Sequence, residues 1–463
     1  MLRHPLLLLL ALALLAPFAL VSPAAASSGQ VMTFEDNREL LSDATRDRTL
    51  DEIRALGVKR VRVLMYWQGI APAGDSKERP AFDAADPAAY PAAGWGRYDN
   101  LMQAASQRGI EVYVTLTGPA PRWATKSKRD NLTRPSAKEF GLFATAAGRR
   151  YGDRVAIWSI WNEPNQPQFL KPQFRKGKAQ SPRMYRSLFQ AAYKGLQESG
   201  NGDDTILFGE TSPRGNSRIV APLAFLRGSL CLSSSYKRKG KCGKLNIDGY
   251  AHHPYTTSQG PRYKPPRDDV TIGVLPRLTS ALDRAARAGR IPRRVGIYLT
   301  EFGIQSKPDP FAVSQAQQAE YIAIAERIAY RNARVRTFSQ YLMSDDDPKT
   351  GGENHGGFES GLRTHSGKAK PAYDGFRTPL AVQARGSRHL GWGLVRPATG
   401  PTSVDILYRN KGAGGYKLLR TVQTSATGVF SFKTKAKRGR KYKVRWTAPD
   451  GAVWGGPPIR AYR

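Results

Sequence analysis

The sequence predicts an α/β chain in which a (β/α)8 TIM barrel over residues 27–380 is followed by a small antiparallel β-sandwich over residues 381–463. Two observations carry this reading. Eight short apolar runs at strand spacing alternate with helical patterns between residue 31 and about residue 380. After Pro379 the helical pattern stops and only period-two alternation continues. A doubly wound sheet is the alternative for the first part, but no glycine-rich phosphate loop follows the first run.

The runs cover 31–34, 58–65, 110–117, 155–161, 205–210, 246–252, 295–301 and 336–342. Val58 to Met65 and Ile110 to Leu116 are β-branched and alternate weakly, as strands buried on both faces of a parallel sheet do. Between the first two runs Leu50, Ile53 and Leu56 recur at helical spacing, and Gly57 supplies a stop. Tyr98, Leu101, Met102 and Ala105 repeat that spacing before Gly109, and Tyr321, Ile324, Ala325 and Ile328 do so before the eighth run.

In the last part Val404, Ile406 and Tyr408 alternate with polar residues, as do Phe430 and Phe432. Tyr442, Val444 and Trp446 alternate with Lys441, Lys443 and Arg445, and Ala413-Gly414-Gly415 reads as a turn. Residues 381–463 hold 17 Lys/Arg against Asp405 and Asp450. That face is either a solvated surface of an accessory module or a patch that holds an anionic cell-wall polymer.

With 463 residues, 40% apolar and 24% charged, the composition excludes a disordered chain. Two cysteines exclude a disulfide-framework miniprotein and a cysteine-based zinc array. Arg3, the apolar run from Leu6 to Val21 and the small residues Ala24-Ala25-Ala26 predict a secretory signal peptide over residues 1–26. An uncleaved anchor is the alternative, but Pro17 interrupts a run already short for a span of about 20 residues. The expected location is therefore outside the cell or at its envelope. Export favours a disulfide between Cys231 and Cys242, with two free thiols as the alternative. A net charge of +35 invites a nucleic-acid partner, yet there is no RNP-like, zinc-finger or helix-turn-helix signature. We expect no nucleic-acid partner and a monomer.

Two glutamates carry the functional signal. The fourth run ends Trp161-Asn162-Glu163-Pro164-Asn165, and the seventh ends Leu299-Thr300-Glu301-Phe302-Gly303. In a (β/α)8 barrel the carboxyl ends of the strands face the active site, so both side chains emerge into one cleft. A charge directly after a buried strand is costly unless it has partners or a task. Paired carboxylates at a barrel mouth suit glycoside hydrolysis, one as acid/base and the other as nucleophile. The alternative is a pair of satisfied structural carboxylates.

These residues resemble those of glycoside hydrolase clan A, the retaining (β/α)8 hydrolases, in the manner of families 5 and 39. The resemblance spans about residues 31–380 and implies that Glu163 is the acid/base and Glu301 the nucleophile. It further implies that Asn162 holds the sugar 2-hydroxyl and that Arg62 supports the nucleophile. His253-Pro254-Tyr255 resembles the clan's His-x-Tyr, whose tyrosine hydrogen-bonds the nucleophile. On this reading the charge of Glu301 raises the pKa of Glu163. The chain departs from the clan at the eighth strand, where Gln340-Tyr341-Leu342-Met343 replaces the usual tryptophan and Tyr341 stands as its candidate substitute.

Trp67, Trp95, Trp123 and Trp161 lie near strand ends, either as sugar platforms or as packing, and Trp67 and Trp123 are the ones expected to bind substrate. His252 lacks a second ligand cluster at metal spacing, and Asp345 to Asp347 read as a solvated loop rather than a calcium site. No metal or cofactor is expected. The expected function is a secreted retaining hydrolase of a β-linked polysaccharide or oligosaccharide, with a catalytically silent carbohydrate-binding barrel as the alternative.

Overall fold

The eight apolar runs become eight parallel strands: β1 (Val31–Glu35), β2 (Arg60–Tyr66), β3 (Glu111–Thr117), β4 (Ile157–Ile160), β5 (Thr205–Thr211), β6 (Gly249–His252), β7 (Gly296–Leu299) and β8 (Val335–Tyr341). The computed structural model describes residues 29–310, 312–348 and 357–463; the expected signal peptide lies outside these residues. The strands form a closed barrel in which β8 pairs with β1, from Val31 opposite Thr337 to Glu35 opposite Tyr341. β4 and β7 are shorter than expected. Trp161 leaves the extended region with φ +64°, and Thr300 and Glu301 lie beyond the end of β7.

A helix follows each strand: α1 (Arg46–Ala55), α2 (Ala92–Gln107), α3 (Ala137–Tyr151), α4 (Ser181–Glu198), α5 (Pro222–Ser229), α6 (Pro276–Arg287), α7 (Gln315–Tyr330) and α8 (Pro371–Arg377). The periodic residues face inward: Leu50, Ile53, Tyr98, Leu101, Ile324 and Ala325 are buried, while Tyr321 and Ile328 are half-buried. Ser136 and Ser314 cap α3 and α7, each hydroxyl accepting a backbone N–H of the first turn. Among the described residues no helix is long and apolar enough to cross a membrane.

The second domain is a mostly antiparallel, nearly closed sheet of β9 (Leu380–Arg385), β10 (Arg388–Leu394), β11 (Ser403–Arg409), β12 (Lys417–Gln423), β13 (Val429–Lys435), β14 (Lys441–Thr447), β15 (Val453–Gly455) and β16 (Ile459–Tyr462). Its order is β12-β11-β14-β16-β9-β10-β13, with β15 on the side of β14. β16 joins the two halves, antiparallel to β14 and parallel to β9. The alternating residues Val404, Ile406, Phe430, Phe432, Tyr442, Val444 and Trp446 line the enclosed core.

The domains meet along α7. Arg396 makes a buried two-pronged ion pair with Glu326 at 2.9 and 3.0 Å, and Ile324 packs with Ala381 and Trp392. Gly57, at φ +82°, fits because it lacks a Cβ, which would sit 2.5 Å from the Arg396 carbonyl oxygen. Cys231 and Cys242 form a disulfide in the segment between α5 and β6.

Candidate active site

Strand register builds the floor of the site. Tyr341 of β8 lies opposite Glu35 of β1, Glu35 opposite Arg62 of β2, and Arg62 opposite Tyr113 of β3. Residues paired this way share a face of a parallel sheet. Arg62 is fully buried, and so large a charge is tolerated there only because its guanidinium is shared out. Nη1 donates to Glu35 and, at 2.8 Å, to Glu301; Nη2 donates to Asn162 and to Glu210, both at 3.1 Å; Nε donates to Thr115 at 2.9 Å.

His253, just past β6, links the carboxylates a second time. Its Nδ1 lies 2.9 Å from Glu163 and 3.3 Å from Glu301, and its Nε2 lies 2.7 Å from Glu210. Tyr255 donates to Glu301 at 3.1 Å, and Gln166 donates to Glu163. Glu210 also accepts from Thr300 at 2.6 Å and from Tyr113.

The backbone is strained where it presents these groups. Trp161 (φ +64°), Glu163 (φ +38°) and Glu210 (φ +46°) occupy the left-handed region without being glycines. The Glu163 N–H donates to the Glu210 carbonyl at 2.9 Å, which locks the ends of β4 and β5 together.

The electrostatics follow from burial and shared cations. Burial pushes the Glu163 carboxyl up from its ordinary value, His253 pulls against it, and Glu301 adds a smaller upward push. Glu301 thus raises Glu163 in the expected direction, but desolvation raises it more. Burial also raises Glu35 to about 8 against the pull of Arg62. Burial opposes ionisation of Glu210, but Arg62, then His253 and Ser159, overcome it and hold Glu210 well below the usual range. Burial alone would lower His253; Glu301, Glu163 and Glu210 outweigh it and raise the ring to about 10. Burial, then Glu301, holds Tyr255 well above an ordinary tyrosine, so it remains a donor.

Glu163, His253 and Glu301 each place one oxygen or nitrogen within 4.8 Å of the others. As donors they span a cation-sized space, but a His253 protonated on both nitrogens offers no lone pair to a metal. The arrangement suits proton transfer and attack by a carboxylate at one centre.

The structure thus brings together Glu163, Glu301, Asn162, Arg62, His253 and Tyr255. Tyr341 stands at the rim, its ring edge-on to Tyr255 at 6.3 Å and to Phe358 at 5.2 Å. Trp67 and Trp123 are not in the cleft. They are 1% and 5% exposed and pack edge-on to each other in an aromatic cluster with Phe82, Phe140 and Phe143, leaving no face for a sugar. Trp95 and Trp161 are buried too. His252 is structural: Nε2 donates to the Val270 carbonyl at 2.8 Å and Nδ1 accepts from Thr211 at 2.9 Å. Asp345 is buried against Lys370 at 2.6 Å rather than solvated.

Sequence reasoning missed Glu35 and Glu210, the third and fourth carboxylates of the network. The signal was present, since each closes an apolar strand run just as Glu163 and Glu301 do (Thr33-Phe34-Glu35 and Phe208-Gly209-Glu210).

A family model described as Cellulase (glycosyl hydrolase family 5) matches residues 25–332. Thermostable beta-glucosidase B of Thermobispora bispora is 30% identical over 126 residues, 27% of this chain and 24% of that protein. Beta-glucosidase 47 of Arabidopsis thaliana is 29% identical over 117 residues, 25% of this chain and 20% of that protein. The matches therefore span about a fifth to a quarter of these curated relatives. Among solved structures, a family 39 glycoside hydrolase from Bacteroides cellulosilyticus WH2 aligns with TM-score 0.51 and 17% identity, over 88% of this chain and 80% of that one. A monomeric beta-xylosidase from Caulobacter crescentus CB15 aligns with TM-score 0.52 and 14% identity, over 94% and 98%. These two likenesses are of fold.

Proposed function

This chain belongs to glycosyl hydrolase family 5, and from that premise we propose that it is an exported retaining hydrolase of a β-linked glycan. One observation carries the reading. Glu163 and Glu301 each hold an oxygen within 4.8 Å of the other, at the carboxyl ends of β4 and β7. An inverting pair stands about 6.5–9.5 Å apart to admit a water, whereas a retaining pair stands at about 5–5.5 Å. The signal-like segment 1–26 and the Cys231–Cys242 disulfide support export.

Glu301 attacks the anomeric carbon as a carboxylate, steadied by the donors Arg62 and Tyr255. As the new ester bond forms, the glycosidic bond breaks and its oxygen leaves with the proton of Glu163. Esterified Glu301 carries no charge, so its push on Glu163 disappears while the pull of His253 remains. Glu163, now a carboxylate, takes a proton from water, the water oxygen bonds the anomeric carbon, and Glu301 is released. Asn162, oriented by Arg62 at 3.1 Å, is placed to bond the sugar 2-hydroxyl.

The test is reducing-end release from β-glucans, xylan, mannan, galactan and an anionic exopolysaccharide, with Glu301→Gln as control. Release on one polymer, lost in the control and yielding the retained anomer by proton NMR, supports the proposal. Capture of a polymer by both forms without release would identify a silent binding barrel instead.

A further inference from the structure

A cavity of about 740 Å³ lies on the outer wall of the barrel, between α6, α7 and the second domain. Arg262, Arg287, Arg327 and Arg331 line it, and the one carboxylate among its described lining residues is Asp283. That carboxylate is already held by Arg334 at 2.7 Å. No described carboxylate is in ion-pair range of Arg262, Arg287 or Arg331, and all three are exposed. Arg327 is buried and donates to the hydroxyl of Tyr462, whose ring lies 5.5 Å from the Arg262 guanidinium and 5.9 Å from that of Arg327. The rest of the wall is mixed, apolar at Leu275, Pro276, Ile328 and Ala333 and polar at Thr279, Ser280, Asn332 and Gln383. Unspent guanidinium forks beside apolar faces and one aromatic ring match a ligand that carries oxyanions on sugar rings.

Pro276 and Ser280 also line a second cavity, of about 680 Å³, to which Arg267 and Arg284 contribute. Two basic hollows sharing one helix suit a polymer better than a single sugar.

We propose that this groove binds an acidic polysaccharide, distinct from the glycan segment held at Glu163 and Glu301; the proposal rests on the reading of the chain as a glycan-acting protein. The arginine forks take the polymer's carboxylates or sulfates, and Tyr462 holds Arg262 and Arg327 beside them. The site is separate from the outward basic face of the second domain.

The experiment measures binding of the full chain to polygalacturonate, dextran sulfate and neutral dextran by affinity electrophoresis at about 0.15 M salt. Arg287→Gln/Arg331→Gln removes two charges from the groove; Lys417→Gln/Lys435→Gln removes two exposed charges from the second domain. The expected result is saturable binding to one acidic polymer and none to neutral dextran. The groove pair should weaken it about tenfold or more and the control pair about twofold or less, both with unchanged thermal midpoints. The two acidic polymers distinguish carboxylate from sulfate recognition. Equal weakening by both pairs, absence of saturable binding, or equally effective competition by duplex DNA of matched charge would overturn the proposal. Glu301→Gln should bind the acidic polymer as the wild type does, whereas such binding by a wild type that turns over no glycan would sink the hydrolase reading and leave the groove standing.

Discussion

Two ion-paired regions of this molecule use the same chemistry under opposite conditions. At the barrel mouth Arg62 is wholly buried and reaches three carboxylates and an asparagine. In the second domain Arg445 reaches Asp405 across β14 and β11 at 2.6 Å, with half of its side chain in water. The buried network is rigid because removing any member strands the others without solvent. The exposed pair can exchange partners with water at little cost. Charge inside the barrel therefore fixes where atoms sit, whereas the Arg445–Asp405 pair on the second domain stays in exchange with solvent.

The contrast can be broken at its most sensitive point first. Glu163→Gln should lower turnover of an unactivated glycoside by ~10²–10⁴-fold. The first step of a nitrophenyl glycoside should fall far less, since that leaving group needs no proton. Matched kinetics on both substrates check this, and an equal loss on each would remove Glu163 from the acid role. Next in size, Arg62→Met leaves the buried Glu210 and Glu301 without the guanidinium they share and should cost ~3–5 kcal/mol in denaturant unfolding.

A pH experiment sharpens the picture. Glu35 is raised from its ordinary 4.5 to about 8, so the folded chain favours its protonated form. The stabilisation from that proton is complete below 4.5 and is lost as pH rises through about 8. The wild type should lose stability relative to Glu35→Gln between about pH 5 and pH 9, read as the difference in urea midpoints. A constant difference would mean that Glu35 keeps one protonation state across the window. The smallest effect belongs to the exposed pair: Arg445→Met should shift stability by no more than about 1 kcal/mol. A loss comparable to that of Arg62→Met would erase the contrast.

The strands were legible because burial on both faces forces apolar, β-branched runs, and each expected run overlaps an observed strand. The acid and nucleophile candidates were legible because a carboxylate closing such a run stands out. Glu35 and Glu210 carry the same mark, but their role depends on a register that brings β1, β2 and β5 residues onto one guanidinium, and no local pattern encodes that. The tryptophans misled for the converse reason. A large aromatic near a strand end serves a sugar face or a core equally well, and only the packing of Trp67 and Trp123 against Phe82, Phe140 and Phe143 decides.

The junction between the domains has a consequence of its own. α8 ends at Arg377 and β9 begins at Leu380, so only Thr378 and Pro379 separate them, and Arg396 clasps Glu326 beside that joint. A catalytic barrel on a long tether sweeps a volume around its anchor and samples whatever falls within reach. Here the two domains turn as one body. Any surface that holds the second domain thereby sets the compass bearing of the cleft, and the protein works along a fixed heading rather than a roaming one.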